Sequence, residues 1–255
     1  MNDLLSGGAG LLAGALSGVF GIGGGVVLVP LLALTLGLDQ HDAQGVTLAI
    51  MLLPIGAAAV VEYHRVGAVR WPLVVPMIVG FMAGIWLGSE IATAIPERPL
   101  RLGFVAFMLA MAARTFWSSK VGRPAGPPPS PRMALLHATW IGAAGGVASG
   151  LLGIGGGVVM IPLMVSILAL TQHEAQGTSL ATMLPPIGLP GVLVYARASG
   201  GLPWVAMAVV ATGFVGGGAL GARIANRLRG PGLTRAFGVF VACVACALLW
   251  RALRI

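Results

Sequence analysis

The feature that most constrains this chain is an internal duplication. Residues 17–31 recur at residues 149–163 with eleven of fifteen positions identical, and both copies contain Gly-Ile-Gly-Gly-Gly-Val-Val followed by a proline. Residues 40–56 match residues 172–188 at the same offset, with twelve of seventeen positions identical. Apolar segments interrupted by glycine or proline at equivalent places in two halves are the best sequence indication of a transporter's binding site. The sequence therefore predicts two equivalent halves, each with a broken apolar segment.

Composition indicates that this duplicated chain lies in a lipid bilayer. Its 255 residues are 57% hydrophobic and 9% charged, with a mean hydropathy of +0.96, whereas soluble domains carry about 25% charged residues. Apolar stretches of about 17–25 residues can cross ~30 Å of hydrocarbon. We predict an all-α polytopic protein of the cell (inner or plasma) membrane, without a soluble catalytic domain. The predicted membrane-helix cores are residues 46–61, 72–95, 100–117, 133–152, 180–196, 203–222 and 236–250.

A proline-rich segment separates the halves. Residues 120–132 contain five prolines in thirteen positions, and proline lacks a backbone donor and fixes φ, so a stiff connector outside the bilayer is expected. We therefore predict a first repeat at residues 1–119, a cytoplasmic connector at 120–132 and a second repeat at 133–255.

Each glycine run is expected to turn a helical hairpin. The arms at residues 4–20 and 26–38 would span roughly 50 Å as one helix, too long for a single crossing, while each arm alone is slightly short of ~30 Å. With hairpins, ten of the fifteen Arg and Lys residues fall on one side of the membrane and five on the other; with single crossings the split is nine to six. Because basic residues concentrate on the cytoplasmic side, the bias favours two inverted repeats, each a Gly-broken helical hairpin plus three transmembrane helices.

The glycine runs at residues 21–25 and 153–157 are candidate anion-binding elements. Glycine permits positive φ and close approach of the backbone to a ligand, and each run is followed by a helix start, which carries free N–H groups and about half a positive charge. In a bilayer such groups need a partner in a protein-lined cavity. The alternative is that these glycines only allow close helix packing.

A polar segment follows each hairpin. Asp39-Gln-His-Asp42 and Thr171-Gln-His-Glu174 are expected to start helices at the membrane edge, the second with a capping box. The alternative is a proton relay through His41 and His173. Tyrosines and arginines recur near the ends of the helices that follow, and we interpret them as interfacial anchors, with attraction of anions by the arginines as the alternative. These residues are Tyr63, Arg65, Tyr195 and Arg197.

Polar side chains share one face of the helix that follows each polar segment. Gln44, Thr47 and Met51 stand at i, i+3 and i+7, where uncharged groups could bind a substrate oxygen or bond between helices. Pro54 and the pair at 185–186 are expected to kink these helices. The counterparts in the second copy are Gln176, Ser179 and Met183, with Thr178 as an additional hydroxyl.

As a set, these motifs match those of a known family. They are the runs Gly21–Pro30 and Gly153–Pro162, the segments 44–48 and 176–180, and Gly84-x-x-x-Gly88 with Gly217-x-x-x-Gly221. Over essentially the whole chain they resemble the sulfite exporter TauE/SafE family of membrane transporters. The first half departs from the usual Gly-Thr-Ser, because Gly45-Val46-Thr47 lacks one hydroxyl.

The resemblance implies a secondary transporter of small anions such as sulfite, sulfonates (sulfoacetate) or organic acids. It assigns the glycine runs and the polar positions to the substrate site. The candidate substrate-binding residues are Gly23, Gly24, Gly25, Gln44, Thr47, Gly155, Gly156, Gly157, Gln176, Thr178 and Ser179.

We predict a carrier, not an enzyme, that exposes an anion alternately to each side of the membrane. No catalytic residue, metal or cofactor is expected, since no nucleotide loop or zinc motif is present and Cys243 and Cys246 lie among apolar neighbours. The expected partners are a small anion and membrane lipid; a coupled proton and a homo-oligomer are left open, and no nucleic acid is expected because the basic residues are scattered. The alternatives are a passive anion channel and, well behind, a membrane-embedded enzyme or assembly factor.

Overall fold

The computed structural model describes residues 3–20, 24–53, 57–117, 129–202, 204–225 and 231–254. Within these ranges all regular secondary structure is helical, as predicted. The first half contains α1 (Asp3–Phe20), α2 (Gly25–Thr35), α3 (Gln40–Ile50), α4 (Ala57–Arg65), α5 (Trp71–Ala94) and α6 (Glu97–Trp117). The second half contains α7 (Pro131–Leu152), α8 (Gly157–Ile167), α9 (Gln172–Thr182), α10 (Leu189–Ala198), α11 (Trp204–Ala225) and α12 (Pro231–Arg254).

The duplication extends from the sequence to the helix boundaries. α8 starts and ends 132 residues after α2, and α9 does so after α3. α7 begins at Pro131, two residues before the predicted second repeat, because proline at the first helical position already has a helical φ and leaves no N–H unsatisfied. Of the predicted connector, residues 120–128 lie outside the described residues.

Two of the described helices are long and apolar enough to cross a bilayer by length and composition. They are α5, with 24 residues, and α7, with 22, which correspond to about 36 and 33 Å of helix. Both lie where the sequence predicted membrane-helix cores.

The helices after the hairpins are broken, whereas the sequence analysis predicted continuous kinked helices. The predicted core at 180–196 is divided between α9 and α10, with Pro185 and Pro186 in the gap. A proline removes a helical donor and disfavours helical φ and ψ in the residue before it, so two in succession end the helix. The predicted core at 46–61 is likewise divided between α3 and α4, with residues 54–56 outside the described residues.

The two halves interlock through glycine-faced helix pairs. α5 packs along α7 of the other half, where a Cβ on Gly80 would lie 2.0 Å from the carbonyl oxygen of Thr139, and one on Gly88 would lie 2.4 Å from that of Val147. The order of these contacts shows that the two helices run parallel. α1 packs along α11 in the same way, and a Cβ on Gly14 would lie 2.1 Å from a carbonyl oxygen of α11. Only glycine permits backbones to approach this closely.

The equivalent helices α3 and α9 begin at opposite ends of α5. His41, in the first turn of α3, places Nε2 3.0 Å from the carbonyl oxygen of Ala92, near the end of α5. At the start of α5, the Arg70 guanidinium lies 2.5 Å from Glu174 of α9, and the Arg70 backbone N–H donates to Thr178 Oγ1 at 3.0 Å. About 36 Å of helix separates these two ends.

Candidate functional site

The two glycine runs touch each other. We name residues 21–25 the first elbow and residues 153–157 the second elbow. A Cβ on Gly25 would lie 2.4 Å from the Cα of Ile154, and both residues are buried. Gly23, a predicted site residue, lies outside the described residues. Segments 132 residues apart in sequence therefore meet inside the protein.

The second elbow has a backbone that favours glycine. Gly153 and Gly155 have φ of +68° and +74°, in the left-handed region that residues with a Cβ rarely adopt. The Gly153 N–H donates to the Ser149 carbonyl at 2.7 Å and closes the end of α7. A Cβ on Gly145 of α7 would lie 2.4 Å from Met160 Cγ of α8, so α8 turns back along α7.

The helices that start at the elbows have no side-chain caps. The N-cap residues of α2 and α8 are Gly24 and Gly156, and among the described residues neither helix start has a side-chain cap hydrogen bond. By contrast, α3 and α9 are capped by Asp39 and Thr171, the latter in the predicted capping box. An uncapped helix start keeps free N–H donors and a partial positive charge. The interior helix ends therefore retain the donors that an anion binds.

A phenylalanine from the opposite half covers each N-cap glycine. Phe81 Cε2 would lie 2.2 Å from a Cβ on Gly156, and Phe214 Cζ would lie 2.4 Å from one on Gly24. The two side chains are 1% and 4% exposed. Neither phenylalanine was predicted from the sequence, although each has glycines one residue before and three residues after it, a repeated pattern that could have identified them.

Corresponding side chains of α3 and α9 converge on the second elbow. A Cβ on Gly155 would lie 2.6 Å from Met51 Cε and 3.1 Å from Met183 Cε, and one on Gly157 would lie 3.3 Å from Ser179 Oγ. The predicted site residue Ser179 thus lies beside the start of α8, and one methionine from each half reaches the same glycine.

The repeated glutamines bind tyrosines of the opposite half. Tyr195 Oη lies 2.7 Å from Gln44 Oε1, and Tyr63 Oη lies 3.1 Å from Gln176 Oε1. The glycine after each glutamine packs against the same tyrosine. The prediction of interfacial anchors is wrong for Tyr195, whose side chain is 0% exposed. The Gln-Gly pairs therefore join α3 to α10 and α9 to α4, which sequence alone left open.

Two predicted hydroxyls make hydrogen bonds within the protein. Thr47 Oγ1 donates to the carbonyl one turn earlier at 2.7 Å, and Thr178 Oγ1 accepts from the Arg70 N–H. None of their described contacts involves an elbow. Within the part of the chain that the structure describes, Gln44 Nε2 and Ser149 Oγ are buried without a hydrogen-bond partner. Gln44 lies against Gly153 of the second elbow in space, and Ser149 precedes Gly153 by four residues in the chain.

The described residues contain no group of three His, Cys, Asp or Glu side chains that could hold a metal ion. A cavity of about 420 Å³ lies between α6 and α8, beside the residues that follow the second elbow. Its lining is mostly apolar and includes none of the predicted site residues. It consists of Phe107, Met111, Val158, Val159, Pro162, Leu163 and Ser166.

Apolar helices in two matching halves, with broken helices meeting in the interior, define the class of membrane transport proteins. A family model described as "Sulfite exporter TauE/SafE" matches residues 6–248. The chain belongs to the sulfite exporter TauE/SafE family of membrane transporters, which confirms the resemblance seen in the sequence.

Similar proteins carry transporter names. A "Probable membrane transporter protein" of Xylella fastidiosa is 31% identical over 251 residues, which cover 96% of this chain and 94% of that protein. A protein of the same name from Haemophilus influenzae is 28% identical over 265 residues, covering 92% and 94%. "Probable membrane transporter protein YunE" of Bacillus subtilis is 23% identical over 262 residues, covering 94% and 95%. No solved structure matches the chain.

Proposed function

We propose that this chain is a secondary transporter that exports small anions by alternating access. The observation that carries the proposal is the contact between the two elbows, each of which begins a helix without a side-chain cap. N–H groups inside a bilayer need partners. An anion held between two helix starts would supply them and would be stabilised by both helix dipoles.

The proposed arrangement is a pair of inverted repeats, residues 1–119 and 133–255. Pro131 and Arg132, which begin α7, are added to the second repeat. The opposed starts of α3 and α9 along α5 support this arrangement. So does the reciprocal packing of α1 on α11 and of α7 on α5. Two such halves can exchange conformations and so expose one central site first to one side of the membrane and then to the other.

Sulfite is the first substrate to test, because the family is described by sulfite export. Sulfonates such as sulfoacetate and organic acids present the same oxyanion group to backbone donors and are included in the proposal. We place the protein in the inner or plasma membrane, where an interior-negative potential drives an anion outward by about 2.3 kcal/mol per charge per 100 mV. A proton is the alternative coupling partner.

The proposed substrate-binding residues remain those of the sequence analysis. The elbow glycines would supply backbone donors, and Ser179, beside the start of α8, would supply a hydroxyl. Gln44 and Gln176 would contribute amide groups that the cross-half tyrosines hold in place.

Gly157→Asp, with Gly157→Asn as its matched control, tests the site. A carboxylate at the first position of α8 would bind the free N–H groups itself and favour the helix start, so it would compete with the substrate while the fold is kept. We expect uptake of radiolabelled sulfite by counterflow in proteoliposomes to fall at least about tenfold more in the Asp variant than in the Asn variant. Equal transport by the two variants would refute binding at this helix start.

The same vesicles separate a carrier from a channel. Saturable counterflow that responds to an imposed potential is expected of a carrier. Single-channel currents with non-saturating flux would support the pore alternative instead.

A further inference from the structure

The Tyr195 hydroxyl has two close oxygen neighbours and only one proton. Tyr195 Oη lies 2.7 Å from Gln44 Oε1 and 2.7 Å from the Gly150 carbonyl oxygen, and the side chain is fully buried. A tyrosine hydroxyl donates one hydrogen bond. With the amide oriented in this way, one of the two O···O contacts would lack a proton, while Gln44 Nε2 would be buried without an acceptor.

Rotation of the Gln44 amide by 180° resolves both conflicts. The oxygen and nitrogen of an amide have nearly the same shape, and the hydrogen-bond network decides between the orientations. After rotation, Gln44 Nε2 donates to Tyr195 Oη, and Oη donates to the Gly150 carbonyl. The buried atom without a described partner is then the Gln44 carbonyl oxygen, which is an acceptor.

This acceptor belongs to a residue that lies against the second elbow. The Cα, Cβ and Cγ atoms of Gln44 would lie 2.9, 3.0 and 3.0 Å from a Cβ on Gly153. The other half differs, since the described contacts give the Tyr63 hydroxyl a single acceptor, Gln176 Oε1, at 3.1 Å. Among the described residues, the conflict over the tyrosine proton is therefore found only at Tyr195.

We propose that the site prefers an oxyanion that retains one hydroxyl proton, such as hydrogensulfite, over fully deprotonated sulfonates and carboxylates, and that Tyr195 is the positioning residue for this selectivity. The inference rests on the proposed function, because it needs an anion at the elbows. The ligand's hydroxyl donates to the Gln44 carbonyl, and its other oxygens accept from the N–H groups of the second elbow. A fully deprotonated oxyanion would place a lone pair against that carbonyl and leave it unsatisfied.

The pH dependence comes from the ligand and can be separated from that of the protein. The elements packed against α3 and α10, which carry Gln44 and Tyr195, include α2, α5, α6 and α11, and Tyr195 also contacts Gly150 of α7. α2 and the described side chains of α11 carry no ionisable group, and none of the groups on α3 or the other elements has a described contact with the Gln44 amide or the Tyr195 hydroxyl. Among the described side chains, those groups are His41 and Asp42 on α3, Glu90 on α5, Glu97, Arg98 and Arg101 on α6, Arg132 and His137 on α7, and Arg197 on α10.

The experiment measures binding of sulfite and of methanesulfonate to the purified full chain by calorimetry, across the pH range in which sulfite takes up its first proton. Methanesulfonate carries the same single charge as hydrogensulfite but has no hydroxyl proton, so it reports titration of the protein alone. We expect the affinity for total sulfite to fall by about tenfold per pH unit on the alkaline side, while the affinity for methanesulfonate stays constant.

Two matched variants test the role of Tyr195. In Tyr195→Phe the Gln44 amide is free to turn and no longer has to present its carbonyl oxygen to the ligand. The affinity for sulfite should then vary with pH as little as the affinity for methanesulfonate does. In Tyr63→Phe, which removes the equivalent hydroxyl of the other half, the steep dependence should remain. A purely structural role for Tyr195 would change the affinity for both ligands and leave the difference between their pH profiles intact.

The outcomes separate this inference from the proposed function. Saturable binding of both anions with parallel pH profiles in the unmodified protein would overturn the selectivity for a protonated anion and leave the anion site standing. If sulfite affinity depended on pH in the same way in Tyr195→Phe and Tyr63→Phe, the proposed role of Tyr195 would be overturned. Absence of binding of either anion at every pH would refute the proposed function itself.

Discussion

Gly25→Ala is the most direct test of the contact between the elbows. The added Cβ would lie 2.4 Å from Ile154 Cα and 2.6 Å from the carbonyl oxygen of Gly153. Both neighbours are backbone atoms, which cannot rotate away as a side chain could. To reach an ordinary contact distance of 3.4 Å or more, the elbows would have to separate by about 1 Å.

The expected change in stability follows from two opposing effects. Alanine in place of glycine stabilises a helix by roughly 0.5–1 kcal/mol, while overpacking of a close-packed interior costs about 1–3 kcal/mol and more when the backbone must move. We therefore expect the free energy of unfolding to fall by about 1–2 kcal/mol and the melting temperature by roughly 2–8 °C. Sulfite transport should fall as well, because the elbows no longer meet.

Gly103→Ala is the matched control. Gly103 lies on α6, is exposed, and has no atom within 4 Å of the position its Cβ would take. The same chemical change there should leave the melting temperature equal or slightly higher, by up to about 1 kcal/mol of added stability. Thermal unfolding of both variants in detergent and counterflow in vesicles provide the measurements. Equal melting temperatures and equal transport in Gly25→Ala and Gly103→Ala would show that the elbows do not touch.

Three further changes are predicted from helix packing and from ion pairs. Gly84→Ala places a Cβ 2.2 Å from the Ala143 carbonyl oxygen and should destabilise the α5–α7 pair by about 1–3 kcal/mol, seen as a lower melting temperature. Glu97→Ala removes the partner of Arg101, whose side chain is 5% exposed, and should lower the unfolding free energy by roughly 2–4 kcal/mol because a buried charge is left unpaired. Arg70→Ala breaks an ion pair whose side chains are 54% and 19% exposed, so its effect should stay below about 1 kcal/mol and shrink with added salt; equal effects of the two ion-pair variants would contradict this ranking.

Several parts of the fold follow from local sequence because their causes lie within a few residues. The capping box at Thr171 depends on a side chain three residues away, and the second elbow depends on glycines that accept positive φ at positions 153 and 155. The order of helices in the two halves follows from the duplication. The break after α9 was underestimated, because the sequence analysis treated Pro185 and Pro186 as a kink although two successive prolines exclude helix.

The candidate site was predicted only in part, since its remaining members come from distant parts of the chain. Gln44 and Tyr195 were both noticed, but their hydrogen bond joins residues 151 positions apart. Hydrophobic periodicity does not indicate which helix a side chain will meet, so this contact was not predictable.

By itself the sequence determined that this protein has two equivalent halves, that each contains a glycine elbow followed by a helix start, and that the chain lies in a membrane. These properties depend on local backbone freedom and on transfer from water to lipid. Tertiary structure alone decided that the elbows touch, that each half covers the other's elbow with a phenylalanine, and that the paired tyrosines hold the glutamines. Such contacts arise because glycine-faced helices of opposite halves pack together, and only that packing brings distant side chains within hydrogen-bonding distance.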